Sequence, residues 1–176
     1  MRIISGSLKS RRITAPKNLP VRPTTDRAKE GLFNILQHQI TFPEIRALDL
    51  FCGTGNISFE LASRGCKDLT CIDISYPCIH FVKQTATALQ LEGFNVRKAN
   101  VFSFLTAKQA PYDLIFADPP YHLRGLENLP DLIFEHHLLA EGGLFILEHP
   151  PQHTFVSHPR HVEQRVYGLV NFSFFA

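Results

Sequence analysis

The stretch Asp49-Leu50-Phe51-Cys52-Gly53-Thr54-Gly55-Asn56 stands between a buried-strand pattern, Ala47 to Phe51, and a helical one, Ile57 to Ser63. A strand that passes into a helix through a glycine-bearing turn is the opening unit of a parallel α/β sheet. Gly53 and Gly55 let the chain turn tightly and let a ligand approach the backbone with no Cβ in the way. The helix behind them presents N–H groups to an anionic group. The same alternation continues downstream. Leu69 to Ile74 reads as a second strand and Tyr76 to Leu91 as a long helix. Phe94 to Lys98 and Tyr112 to Ala117 read as further strands, Leu126 to Leu139 as a helix, and Gly143 to Glu148 as a fifth strand. Val162 to Tyr167 and Val170 to Phe175 alternate around Gly168, the signature of a hairpin. The expected fold is therefore α/β: a mostly parallel seven-stranded sheet with helices on both faces and an antiparallel C-terminal hairpin. Ligands of such sheets sit at the carboxyl ends of the strands, near the switch point.

Ahead of this unit lies a segment of different character. Up to Lys29 there are eight basic residues against one acidic, a charge of +7, while the remainder carries ten against fifteen, or −5. Ile3-Ile4 and Arg12-Ile13-Thr14 flank a Ser5-Gly6-Ser7 turn signal, so a basic β-hairpin is expected. Thr24 or Thr25 can cap a helix from Ala28 to Ile40, with Leu32, Phe33, Ile35 and Leu36 on its apolar side. The division expected is 1–45 for the hairpin and helix extension and 46–176 for the sheet domain. A basic arm on a mildly acidic body suits a polyanion, and Arg2, Lys9, Arg11, Arg12, Arg22 and Arg27 are its candidate contacts. The 176 residues, 44% hydrophobic and 19% charged, are those of an ordinary soluble domain. No apolar run approaches the roughly 20 residues of a membrane span, and the amino terminus lacks a secretory h-region. Cys52, Cys66, Cys71 and Cys78 form no C-x-x-C pair. A cytoplasmic protein with reduced thiols, and no membrane partner, is expected.

Four strand ends carry chemistry. G-x-G-x-x-G is not met, because Ser58 stands where a third glycine belongs. Asp49 would repel a pyrophosphate but suits the sulfonium and amine of S-adenosylmethionine. Asp73, closing the second strand, can accept both hydroxyls of a ribose, with Ile74 beside it, and Asn100-Val101 can meet an adenine edge and ring. Asp118-Pro119-Pro120-Tyr121 follows the strand Tyr112 to Ala117. Two prolines end that strand abruptly, since neither can donate to a ladder. The Pro119 carbonyl and the Asp118 carboxylate then offer two acceptors beside the aromatic face of Tyr121, an arrangement suited to a planar group bearing an NH2.

The order D-x-F-x-G-x-G, an acidic second-strand end, then D-P-P-Y resembles the class I S-adenosylmethionine-dependent methyltransferases that act on exocyclic amines. Within them, Arg22-Pro-Thr-Thr-Asp-Arg27 followed by Ala28-Lys-Glu-Gly-Leu-Phe-Asn-Ile-Leu36 resembles the RsmD family. The resemblance covers nearly the whole chain. It implies a Rossmann-like methyltransferase domain and methylation of N2 of a guanine in 16S ribosomal RNA, as naked RNA or within a small-subunit particle, by a monomer. It also implies that Asp49, Phe51, Gly53, Thr54, Gly55, Asp73, Ile74, Asn100 and Val101 hold S-adenosylmethionine. Asp118, Pro119, Pro120 and Tyr121 would hold the amine and stack on the base. Asn100 departs from the family pattern, where Asp is usual. Two other readings remain open from the residues: an adenine-N6 methyltransferase of DNA or RNA, and a catalytically silent RNA-binding or assembly protein. His149, His153, His158 and His161 follow Glu148 in a Pro-interrupted loop with no matching Cys pair, so no metal is expected.

Overall fold

The computed structural model describes residues 1–16, 19 and 25–176. Its seven strands are β1 (Arg46–Leu50), β2 (Asp68–Asp73), β3 (Phe94–Lys98), β4 (Tyr112–Ala117), β5 (Leu139–His149), β6 (His161–Tyr167) and β7 (Val170–Phe175). They form one sheet in the order β3-β2-β1-β4-β5-β7-β6. Strands β1 to β5 run parallel, whereas β7 pairs antiparallel with both β5 and β6. The order reverses between β1 and β4, so the crevice above their carboxyl ends is the switch point.

Side-chain alternation along the strands divides the apolar residues between two faces. Leu114 and Phe116 of β4 belong to one cluster with Leu32, Phe59 and Val82, from α1 (Asp26–Leu36), α2 (Asn56–Ser63) and α3 (Tyr76–Ala88). Ile115 and Ala117 belong to the other with Leu105 and Ile133, from α4 (Val101–Leu105) and α5 (Leu129–Glu135). Helices cover both faces, as expected.

Several boundaries differ from expectation for local reasons. Helix α1 starts at Asp26 because Thr25 caps it, its side chain accepting from the Ala28 N–H; it ends at Leu36. Thr24, the other candidate cap, lies outside the described residues. Helix α3 stops at Ala88, and Gln90 takes a positive φ of 54° just beyond. The helix expected over Leu126 to Leu139 is a 3-10 turn, Leu126–Asn128, and then α5, while Leu139 already belongs to β5. Helix α4 is not among the expected elements. Asn100 caps it, its Oδ1 accepting from the Ser103 N–H at 3.2 Å.

The N-terminal hairpin forms, but its ladder shrinks to one antiparallel bridge, Arg2 to Arg12. Its tip pairs elsewhere. The Ile4 and Ser5 N–H groups donate to the Glu60 carboxylate of α2 at 2.8 and 3.1 Å. The Ser7 N–H donates to the Ser63 carbonyl at 2.7 Å, and the Leu8 N–H to the Ser63 hydroxyl at 2.9 Å. Gly6 lies so close that a Cβ there would sit 1.8 Å from the Ser63 oxygen. Ile3 and Ile13 enter the core cluster of α1 to α3. The arm is thus packed against α2 by polar groups at its tip and apolar ones at its base.

Candidate active site

Four loops meet above the switch point. The first follows β1. Phe51, Gly53 and Gly55 all have positive φ, at 61°, 52° and 77°. For Phe51 that backbone is unfavourable, a cost that clusters at binding loops. Gly55 is closed in as well: a Cβ there would lie 2.7 Å from the Phe59 ring. The loop is tied to β2 through Asp73, whose Oδ2 accepts the Gly53 N–H at 2.9 Å and whose Oδ1 accepts the Ser75 N–H at 2.8 Å. One lone pair of each oxygen is engaged in this way, and each oxygen keeps a second acceptor site. Ile74 next to it is 63% exposed, an apolar plate at the rim.

Asp49 lies below this loop. It is 1% exposed and accepts a short hydrogen bond from the Ser58 hydroxyl. Burial pushes its carboxyl up to about 7; the Ser58 hydrogen bonds work against that rise and the charge of Asp73 adds to it. Thr54 is buried and Phe51 half-buried. Val101 is 4% exposed at the start of α4, whereas Asn100 is exposed and uses its side-chain oxygen as the cap already described.

On the other side of the switch point, Asp118 continues from β4. Its N–H donates to the Leu50 carbonyl at 3.3 Å, so it sits directly beside the end of β1. Pro119 is buried and Pro120 exposed, and the Pro120 carbonyl accepts from the Leu123 N–H at 2.8 Å. Tyr121 is 44% exposed, its hydroxyl 3.5 Å from Glu148 Oε1 at the end of β5. Phe51 to Gly55, Asp73-Ile74 and Asp118 to Tyr121 thus stand at the carboxyl ends of the neighbouring parallel strands β1, β2 and β4.

The sequence reading passes over four residues here. Glu148 is a buried carboxylate near the end of β5, and a carboxylate ending an apolar strand is its signal. Asn56, Lys29 and Glu60 form a buried polar group. The Lys29 Nζ donates to the Asn56 Oδ1 at 2.9 Å and to the Arg2 carbonyl at 2.6 Å, and lies 3.7 Å from the Glu60 carboxylate. By sequence Lys29 counts with the basic arm; at 1% exposure it is a core residue, out of reach of a polyanion. Desolvation lowers its pKa, against the pull of Glu60.

Of the candidate polyanion contacts, Lys9, Arg11, Arg12 and Arg27 are exposed. Arg2 is exposed too, with Glu30 at 3.0 Å and Asp26 at 3.8 Å. Arg22 lies outside the described residues. Arg11 and Arg12 line a groove between the arm and α3 together with Phe81 and Gln84. Among the described residues no group of three or more His, Cys, Asp or Glu could hold a metal ion, and no helix is long and apolar enough to cross a membrane. Two of the histidines at and beyond the end of β5 have other partners: His149 lies 2.8 Å from the Ser173 hydroxyl and His158 3.2 Å from Asp131.

A model of the family described as Conserved hypothetical protein 95 matches residues 1–176. The Ribosomal RNA small subunit methyltransferase D of Escherichia coli strain K12 is 32% identical over 148 residues, which is 84% of this chain and 74% of that protein. Among solved structures, the hypothetical protein TTHA0928 of Thermus thermophilus is 27% identical with a TM-score of 0.85, covering 99% of this chain and 98% of that one. The T. thermophilus 16S rRNA N2 G1207 methyltransferase RsmC, solved with AdoMet and guanosine, shares the fold at a TM-score of 0.72 and 17% identity, over 99% of this chain and 48% of its own. The chain belongs to the Conserved hypothetical protein 95 family, the RsmD family, and carries the α/β fold of the class I methyltransferases.

Proposed function

We propose that this chain transfers a methyl group from S-adenosylmethionine to the exocyclic N2 amine of a guanine in 16S ribosomal RNA. The observation that carries this reading is the position of Asp118 to Tyr121 beside the β1 glycine loop across the switch point. The residues present fit the cofactor. Asp73 keeps two acceptor sites for ribose hydroxyls, exposed Ile74 offers an apolar surface to a purine, and the closed-in turn at Gly55 leaves backbone facing the methionine end. S-adenosylmethionine, when bound, supplies an electrophilic methyl on a sulfonium.

The remaining work falls to the chain. An exocyclic amine is a poor nucleophile, because its lone pair is delocalised into the ring. Two acceptors, the Asp118 carboxylate and the Pro119 carbonyl, hold the NH2 and stabilise the positive charge that grows on nitrogen as it attacks. Tyr121 stacks on the extruded base, contributing about 1–3 kcal/mol toward the few kcal/mol that unstacking costs. Holding nitrogen and methyl in line contributes roughly 7–11 kcal/mol. The arm, 1–45, is the RNA-facing element and 46–176 the catalytic one, with Arg11, Arg12, Lys9 and Arg27 meeting phosphates. The protein acts as a monomer in the cytoplasm.

Mass spectrometry of small-subunit rRNA nucleosides from a deletion strain tests this. N2-methylguanosine should fall by one site, and the purified protein should restore it. A missing N6-methyladenosine instead would move the reading to adenine.

A further inference from the structure

The outer face of α3 has no part in the chemistry above. The helix starts beside Asp73-Ile74 at the end of β2, and its later turns line the groove with Arg11 and Arg12. Its thirteen residues include no Asp or Glu. Tyr76, His80 and Lys83 follow one another at intervals of four and three, which puts them on one stripe of the helix, and all three are exposed. Tyr76 is 62% exposed, a large ring left in solvent. It lies nearly parallel to the His80 imidazole, with centroids 5.9 Å apart and planes 21° from each other. Lys98, exposed at the end of β3, brings its Nζ to 6.0 Å from the centre of the Tyr76 ring. Lys98 is also the register partner of Asp73. Among the described residues neither Lys83 nor Lys98 enters an ion pair, so their charge is open to an outside anion.

Such a surface suits a ligand with both a flat face and negative charge. An acidic protein patch supplies only the charge, and an RNA duplex hides its base faces; an unpaired stretch of RNA offers both. We propose that the outer face of α3, with Lys98, is a second RNA-binding surface: an unpaired base of the substrate stacks on Tyr76 and His80, while neighbouring phosphates meet Lys98 and Lys83. Arg11 and Arg12 continue this surface into the arm, so the strand is guided along about 20 Å of helix. Stacking is indifferent to base identity, so the platform adds affinity rather than sequence choice. The inference rests on RNA being the substrate, as proposed above, and adds where on the chain it is held.

The test compares Tyr76→Ala, Tyr76→Phe and the double variant Lys83→Ala/Lys98→Ala with wild type in the full chain. All are surface positions, where substitution changes stability little. Steady-state methyl transfer is measured on small-subunit particles and on their deproteinised rRNA, both from cells lacking the enzyme, with cofactor saturating. Cofactor affinity is measured by calorimetry, and binding of a labelled single-stranded RNA oligonucleotide is followed across salt concentrations. Tyr76→Ala should raise the KM for RNA on the order of tenfold, within the range for losing one base–aromatic stack. Its kcat should stay the same, as for binding shared equally by ground and transition states. Tyr76→Phe keeps the ring and should stay near wild type. The double variant should raise KM as well and flatten the salt slope of oligonucleotide binding by about 1.4, two single-strand phosphate contacts at about 0.7 each. Cofactor affinity should be unchanged throughout. An unaltered KM in both Tyr76→Ala and the double variant overturns the proposal. So does a loss of cofactor affinity in Tyr76→Ala with the KM for RNA unchanged, which would assign the ring to the cofactor. A wild type that methylates neither RNA would instead overturn the proposed function, and the platform with it.

Discussion

Two carboxylates in this molecule perform the same backbone task with different consequences. Asp73 accepts the N–H groups of Gly53 and Ser75, and Glu60 those of Ile4 and Ser5. Asp73 stands half-buried at the crevice with acceptor sites remaining. Glu60 is 0% exposed, also receives Arg64 Nε at 2.9 Å, and has the Lys29 ammonium 3.7 Å away. The first shapes a loop and keeps acceptor sites open to solvent, where the proposed function puts a ribose. The second is committed wholly to joining the arm to α2. Chemical type and local pairing are alike, and the two differ in solvent access.

Breaking Glu60 should give the largest effect. Glu60→Ala leaves the buried Lys29 and two partly exposed backbone N–H groups without their anion, and removing one partner of a buried pair costs about 3–5 kcal/mol. Urea unfolding should show this; a loss below about 1 kcal/mol would mean the arm is held without Glu60, by Ile3, Ile13 and its hydrogen bonds to Ser63 and Lys29. For the same reason point substitutions are preferable to deleting the arm. Asp73→Ala should weaken S-adenosylmethionine by about 1.5–3 kcal/mol, as for hydrogen bonds to a charged group, while RNA affinity stays the same. Calorimetry that finds no change would place Asp73 with Glu60, as a structural residue only.

Asp49 sharpens the contrast through pH. Its folded pKa, about 7, lies above the ordinary 3.8. Its stabilising contribution is therefore complete below the ordinary value and is lost as pH rises through about 7. Wild-type stability should fall at up to about 1.4 kcal/mol per pH unit across that window, and Asp49→Asn should flatten the slope. An identical slope in both would show the ionised form to be accommodated without cost. The smallest change is expected at the surface. Arg11→Ala and Arg12→Ala should each reduce the salt slope of RNA binding by about 0.7–0.9, and unchanged slopes would remove the groove beside α3 from the RNA path.

Much of this is legible in the sequence, because the signals are local. A glycine turn after an apolar run, an acid at a strand end and two prolines after the fourth strand fix backbone geometry within a few residues. The sheet and the crevice follow from such signals. Long-range polar pairing carries no such mark. Lys29 looks like one more charge in a basic run, yet its partners Arg2, Asn56 and Glu60 are far away in the chain. The same pairing shortens the expected hairpin, since Ile4 and Ser5 bond to α2 rather than across to a second strand. Helix α4, capped by Asn100, has five residues, too few to show a period.

The central claim is that Asp118 holds an RNA amine by accepting a hydrogen bond from it. Single-turnover methyl transfer to small-subunit rRNA, with wild type, Asp118→Asn and Asp118→Ala all saturated in cofactor, tests it most directly. The Asn carbonyl can still accept, with less charge behind it, so a loss of about 2.7–4 kcal/mol is expected, the scale of one electrostatic contact to a transition state. Alanine should be worse still, with cofactor affinity unchanged in both. Equal inactivity of Asn and Ala would contradict the acceptor role, and full activity of Ala would remove Asp118 from the site.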